Sequence, residues 1–491
     1  MSVLHKKATG SIGSQPRGRG SRLGFDRADT QITTMRWMTA GLLAASSLAV
    51  SLDASATPIF ARQTGQNCMA CHAGGQFPEL TPYGRLFKLT GFTLGKRTPI
   101  PLAVMGVFGS TTVGPAQTPA PSSPGHTATD GTPTFYTGSI FAGGKITDNI
   151  GMLAQYTWGN YNGSNGASFG GGSDNTDIRY ANRVINNNND IIYGVSLNNN
   201  PGVEDVWNSS QTWGYGVVPG STGSPAGYTI LDGGLAAQAV GADAYLYWNK
   251  AIYAEVGAYR TGNGVFSFLT QNNGGQAYLA NTSPYVRLAY THEWGAQNIE
   301  VGYTFFDADV FEGTDTLGNT YTNSGPYDEH RDNAFDFQYQ YLLDPHTVTF
   351  EFSRINEVIN PNGAGAVNFT GALGQGQVNE TKAKVSYTYK ARYGAALGYY
   401  NFSSNAAFAG YQANAGTTAT DYFGDGTVTA FVPEIFFIPV QNVRIGLQYT
   451  MYTQIPTQTA ANQTFTGANA NGQPWNSSDF NEAFLYVWAA Y

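Results

Sequence analysis

Cysteine is nearly missing: two residues in 491 rule out a disulfide framework and fall short of the four ligands of a structural zinc site. Charge is scarce too. Asp, Glu, Lys and Arg make up 12% of the chain, about half the share usual in soluble domains, which sets aside a typical soluble enzyme. Beyond residue 50 no apolar run approaches the roughly 20 residues a spanning helix needs, so a helical membrane protein is excluded as well. Basic excess is also lacking. The formal net charge is −8, and nothing indicates nucleic-acid binding, which depends on neutralising phosphates.

What is present is aromatic and glycine-rich. Aromatic residues reach 14% and glycines number 61, while mean hydropathy is only −0.25. Alternating barrel strands produce this combination, with apolar and polar residues taking turns. From Pro101 onward the sequence divides into segments of period-2 alternation. Strands are predicted over 101–112, 133–147, 150–160, 175–186, 190–198, 236–248, 251–262 and 282–293, then over 297–307, 330–341, 346–356, 380–390, 392–402, 426–437, 442–453 and 481–491. In 330–341, for example, Phe335, Phe337, Tyr339 and Tyr341 alternate with Ala334, Asp336, Gln338 and Gln340. The connections alternate short and long, as in outer-membrane barrels with short periplasmic turns and long extracellular loops. The expected fold is therefore all-β: a sixteen-stranded antiparallel transmembrane β-barrel, its lumen lined by the polar set and its lipid face by the apolar set. Glu300, Asp336 and Glu351 should share that lumen with Lys382, Lys384 and Arg444.

Both ends carry export signals. Arg36, the apolar run Trp37 to Val50 and the small residues Ala54-Ser55-Ala56 read as a secretory signal peptide, preceded by a basic leader. The final strand ends in Tyr491 and resembles the closing strand of an outer-membrane barrel. The expected division is leader and signal at 1–56, a short helical segment at 57–100 and the barrel at 101–491.

The short segment holds both cysteines, in Cys68-Met69-Ala70-Cys71-His72. Two thiols at this spacing can form thioethers to one haem, with the adjacent imidazole as proximal iron ligand. A thioredoxin-like pair would sit in a βαβ pattern, which is not seen. Cys68, Cys71 and His72 are thus the expected binding residues for a single covalent haem c. Thr81-Pro82 and Gly91 frame one helix, with Thr as N-cap, Pro at N1 and Gly at C′. Tyr83, Leu86 and Phe87 are candidates to pack on the haem, and Arg85 and Lys88 to meet its propionates or an acidic partner. A segment this small needs outside support, which docking in the lumen or at its periplasmic side would provide.

Phe60-Ala61-Arg62-Gln63-Thr64-Gly65, the haem motif, and Phe77-Pro78-Glu79-Leu80-Thr81-Pro82-Tyr83-Gly84-Arg85-Leu86-Phe87-Lys88 together resemble the fused monohaem cytochrome c–porin family of outer-membrane proteins. The close resemblance covers about thirty residues and extends to the barrel only in architecture. It implies one haem near the lumen, taking electrons from outside and passing them to periplasmic carriers. Ala73-Gly74-Gly75-Gln76 stands where iron-oxidising members carry a different stretch.

For the distal iron ligand, Met105 is the leading candidate, on the first strand near its periplasmic end and pointing inward if Val104 and Phe108 face lipid. His126 is a weaker one. Asp307, Asp309, Glu312 and Asp315 form an acidic cluster expected in an extracellular loop, with hard oxygen donors suited to Fe(II) or Ca(II). The expected function is an Fe(II)-oxidising outer-membrane cytochrome. Its partners would be extracellular Fe(II) or another electron donor, a periplasmic cytochrome or cupredoxin, and the outer-membrane lipid. The alternatives are a transport porin with a haem-bearing plug or redox gate, and a conduit to an external acceptor.

Overall fold

The computed structural model describes residues 59–75, 79–117, 131, 133–159, 170–209, 229–270, 278–311, 313–314, 320–321, 327–361, 375–404, 424–425, 427–455, 457–458 and 475–491. Residues 1–56, expected to be leader and signal peptide, lie outside them, as do His126, Glu312 and Asp315. Helical elements come first: α1 (Ile59–Thr64), α2 (Cys68–Cys71) and α3 (Pro82–Leu89).

Sixteen strands then close into a barrel. They are β1 (Leu102–Val113), β2 (Thr134–Lys145), β3 (Ile150–Gly159), β4 (Gly170–Ile185), β5 (Asp190–Asn198), β6 (Ala239–Trp248), β7 (Ile252–Thr261) and β8 (Ser283–Trp294), followed by β9 (Gln297–Phe311), β10 (Tyr327–Leu343), β11 (His346–Pro361), β12 (Gly376–Tyr389), β13 (Tyr393–Ser404), β14 (Val428–Val440), β15 (Val443–Gln454) and β16 (Glu482–Ala490). Each pairs antiparallel with its sequence neighbours, and β1 closes the ring on β16 from Met105↔Ala490 to Val113↔Glu482. Closure leaves no unpaired edge, which is what allows a sheet to cross lipid.

Period-2 geometry sorts the side chains. Val301, Phe335 and Ile435 are outward and exposed, while Glu300, Asp336 and Glu434, each beside one of them, are buried in the lumen. The outer surface is an apolar band and the interior is polar, the arrangement of a membrane-spanning barrel. Several strands run past the expected limits on the long-loop side: β10 begins at Tyr327 rather than 330, β11 reaches Pro361, and β9 reaches Phe311. Pairing continues from Asp328↔Pro361 inward although the apolar alternation has ended. Hydrogen-bonded hairpins do not need lipid to persist. The expectation of an acidic loop cluster is corrected here. Asp307 and Asp309 are strand residues, with Asp307 paired to Arg331 at 3.0 Å and Asp309 accepting from Asn281 at 2.6 Å.

Candidate functional site

The Cys68-to-His72 stretch is one helical turn followed by extended chain. Asn67 caps the turn by accepting from the Ala70 N–H at 3.1 Å. His72 leaves it and forms a β-bridge with Leu80, while the Thr81 N–H donates to the Cys71 carbonyl at 2.9 Å. Thr81 also caps α3, its hydroxyl accepting from the Gly84 N–H at 3.1 Å, with Pro82 in the first turn. Gly91 ends the helix at φ +70°, a backbone conformation open to glycine. Gly84 is required for another reason. A Cβ there would lie 2.1 Å from the Cys71 carbonyl oxygen, so only glycine lets α3 lie against the cysteine turn.

The two thiols are unpaired and half-buried. Burial pushes Cys71 up to about 11, with Cys68 adding to the rise, and burial raises Cys68 as well. Neither is a ready thiolate. Burial pushes His72 down to about 4 against the pull of Glu79, so its imidazole is neutral with a lone pair to donate. Its Nδ1 is buried and has no hydrogen-bond partner. Beside the turn lies a cleft of about 370 Å³ bounded by Met69, Ala70, Tyr83, Asp344, Thr347 and Ala391, a size within the range of cofactor sites. Two free thiols one turn apart and a neutral imidazole form a donor set that suits a covalently attached haem; the cleft itself is lined by Met69 and Ala70 between the cysteines and not by the three donors.

The segment lies within the end of the barrel that bears the short turns. One side, α1, packs on β2, and residues 73–75 pack on β11 and β12 across the ring. Buried polar contacts hold it. Arg85 donates to Gln338 at 2.8 Å, to Gln340 at 3.3 Å and to Asn298 at 2.9 Å. Glu79 is ion-paired to Lys384, and Gln63 Oε1 accepts from the Lys145 N–H of β2 at 2.8 Å. Lys88 donates to the Asp205 carbonyl at 2.7 Å. Arg85 and Lys88, expected to meet haem propionates or an acidic partner, are buried at 5% and 7% exposure, Arg85 on wall amides and Lys88 on the backbone of the connection between β5 and β6. Phe87 packs on Phe60 and Phe92 instead of facing the cleft, and Leu86 packs into the tyrosine cluster of the wall. Tyr83 alone of the three lines the cleft.

Met105 does point inward, with Val104 and Phe108 exposed. It packs against the cluster of Val107, Tyr136, Phe484, Tyr486 and Trp488, on the side of the ring where Arg62 of α1 bonds to Leu102. His72, by contrast, adjoins residues 73–75, which contact β11 and β12. The lumen ion pairs also regroup. Glu300 and Asp336 pair with Arg287 at 3.2 and 2.9 Å, Arg444 with Glu434 at 2.7 Å, and Lys382 with Asp232 and Glu380.

A second element enters the lumen from the connection between β5 and β6. Residues 199–209, including α4 (Pro201–Glu204), place Asp205 2.9 Å from Arg287 and Trp207 edge-on to Tyr253. The returning limb donates backbone N–H groups from Thr229, Ile230 and Leu231 to Glu380, Glu357 and Asp332. Leu86 and Leu89 of the N-terminal segment meet Val206 and Trp207 of this loop in one apolar cluster. Sequence periodicity does not reveal an inward loop. The available signal was Glu204, Asp205 and Trp207, two carboxylates and a large aromatic within one long connection.

No protein-family model matches the chain, and no curated protein matches it in sequence. Solved structures similar in shape include the anion-selective porin from Comamonas acidovorans, at 9% identity and TM-score 0.42, covering 79% of this chain and 98% of that one. The outer membrane channel DcaP of Acinetobacter baumannii is 11% identical at TM-score 0.42, covering 79% and 96%. A loop-deletion mutant of OmpT from Vibrio cholerae is 12% identical at TM-score 0.41, covering 79% and 98%.

Proposed function

We propose that the protein is a porin-type barrel of the bacterial outer membrane whose lumen carries a haem-bearing plug, and that the plug passes electrons. The donor would be extracellular, with Fe(II) leading, and the acceptor a periplasmic cytochrome or cupredoxin. The channel-class part has the broader support, because it needs only a closed barrel with an apolar outer band and a polar lumen. The electron-transfer part rests on one observation: the turn carrying Cys68, Cys71 and His72 is anchored inside the short-turn mouth by buried polar contacts. A haem held there would supply a one-electron carrier. The chain's own residues hold the thiols one turn apart, keep the imidazole neutral and fix the segment through Glu79, Arg85 and Lys88. Acid–base chemistry is not required. The resemblance of residues 60–88 to the fused cytochrome–porin family supports the same reading.

The second reading is a transport porin in which the same segment is a plug or redox-sensitive gate. It is favoured by the barrel's own architecture and by an anchor made of a few displaceable polar contacts. Bilayer conductance of the haem-loaded protein separates the two. Large steady currents would sink the conduit, whereas small currents together with rapid reduction of the haem by Fe(II) in stopped-flow mixing would sink the porin. A haem that stays oxidised at both acidic and neutral pH rules out Fe(II) as donor. A strongly negative haem potential would reverse the direction, making the protein a conduit to an external acceptor.

A further inference from the structure

Three carboxylates converge where the inward loop meets the barrel wall. Glu204 closes α4, Asp243 projects inward from β6 and Glu255 from β7, and their nearest ligand oxygens all lie within 4.8 Å of one another. All three residues are buried, at 0%, 1% and 1% exposure. One oxygen of each strand carboxylate has donors: Asp243 Oδ2 accepts from Asn198 at 2.6 Å and Tyr259 at 3.1 Å, and Glu255 Oε2 accepts from Tyr253 at 2.8 Å. The remaining ones do not. Asp243 Oδ1, Glu255 Oε1 and both oxygens of Glu204 are buried without a hydrogen-bond partner.

The nearby cations, Arg179 and Lys88, do not balance the four carboxylates of Asp177, Glu204, Asp243 and Glu255. Arg179 lies 3.6 Å from Glu204 Oε2, but its Nε is committed to Asp177 at 2.6 Å. An unpaired buried carboxylate is costly, and three within one site cannot all ionise without a counter-ion. Space is reserved as well: a Cβ on the inward Gly257 would lie 1.5 Å from Asp243 Oδ1, so any larger residue would displace that carboxylate. The donor set is all oxygen, anionic and hard, which selects cations of the Mg, Ca and Mn class over softer metals.

We propose that Glu204, Asp243 and Glu255 bind one oxygen-preferring divalent cation, which fastens the inward loop to β6 and β7. This site does not depend on the haem or on the direction of electron flow. Cation binding there offsets the mutual repulsion of the carboxylates and stabilises the loop in its position against Arg179 and the wall.

The test uses the full-length, haem-loaded protein in detergent, stripped with chelator and titrated with Mn(II) at neutral pH. Free Mn(II) is followed by its paramagnetic resonance signal. Saturable binding of one Mn(II) per chain is expected. Glu204→Gln and Asp243→Asn should each weaken it at least about tenfold, while Asp148→Asn, on an exposed short turn, should leave it unchanged. Terbium gives a second readout, since Tyr253 and Tyr259 lie close enough to sensitise its emission. Heat-modifiable gel mobility checks that each variant is a folded barrel, and Glu204→Gln sits on the loop, away from strand pairing. The proposal is overturned if the folded wild type binds no Mn(II), which would leave the carboxyls sharing protons instead. It is equally overturned if both variants bind as the wild type does.

Discussion

Strand β10 is joined to β11 by an unbroken register from Asp328↔Pro361 to Leu343↔His346, whereas the N-terminal segment holds the same strand through Arg85 on the side chains of Gln338 and Gln340. The wall is a repeating ladder in which any one contact is a small part of the whole. The segment inside it depends on a handful of buried charges and amides, each of which is expensive to leave unpaired. Single substitutions should therefore leave the wall folded while freeing or emptying the segment. That asymmetry is what a plug or a docked redox carrier needs.

The sharpest break removes the chemistry and spares the barrel. Cys68→Ala with Cys71→Ala is expected to abolish covalent haem entirely, read as loss of haem stain on denaturing gels, with heat-modifiable mobility of the barrel unchanged. Next in size is Lys384→Met, which strands Glu79 as an uncompensated buried charge at a cost of about 3–5 kcal/mol. Proteolysis of residues 59–100 and single-channel current should both rise. The same pair sets a pH dependence. Burial alone would raise the Glu79 carboxyl, but Lys384 outweighs it and the net shift is downward from 4.5. The stabilisation is therefore present above the ordinary carboxylate range and is lost as pH falls through the lowered value, so wild-type current should increase on acidification and Lys384→Met should lose that increment.

Arg85→Ala leaves Gln338, Gln340 and Asn298 without their shared donor and should destabilise the docked segment by on the order of 3 kcal/mol, measured by the same proteolysis. Gly84→Ala forces a methyl into the Cys71 carbonyl and should cost about 1–3 kcal/mol, seen as reduced haem attachment. Met105→Leu is the mildest. It should cost less than about 1.5 kcal/mol, and a changed visible haem spectrum in that variant would assign Met105 as the distal ligand, an unchanged one removing it.

Legibility in the sequence followed the same divide. The strand count and inward-facing residues such as Glu300 and Asp336 were readable because a strand's two faces repeat every second residue whatever surrounds them. The caps of α3 were readable for a similar reason, since Thr81, Pro82 and Gly91 act on backbone groups within one turn. The partners of Arg85 and Lys88 were not readable because they lie more than a hundred residues away, and Phe87 turns instead to Phe60 and Phe92 of its own segment. Asp307 and Asp309 read as loop residues in the sequence because alternation stops where lipid contact ends, while hairpin bonding carries on.

By itself, the sequence determined the barrel, the alternation of its two faces and the five-residue motif that suits haem. These are local or periodic properties, written in neighbouring residues. Tertiary structure alone decided what fills the lumen: Arg85 on three amides, Glu79 on Lys384, and the loop carrying Glu204 brought against Asp243 and Glu255. Those contacts join distant stretches of chain through buried charge, and a buried charge shows its partner only once the chain has folded around it.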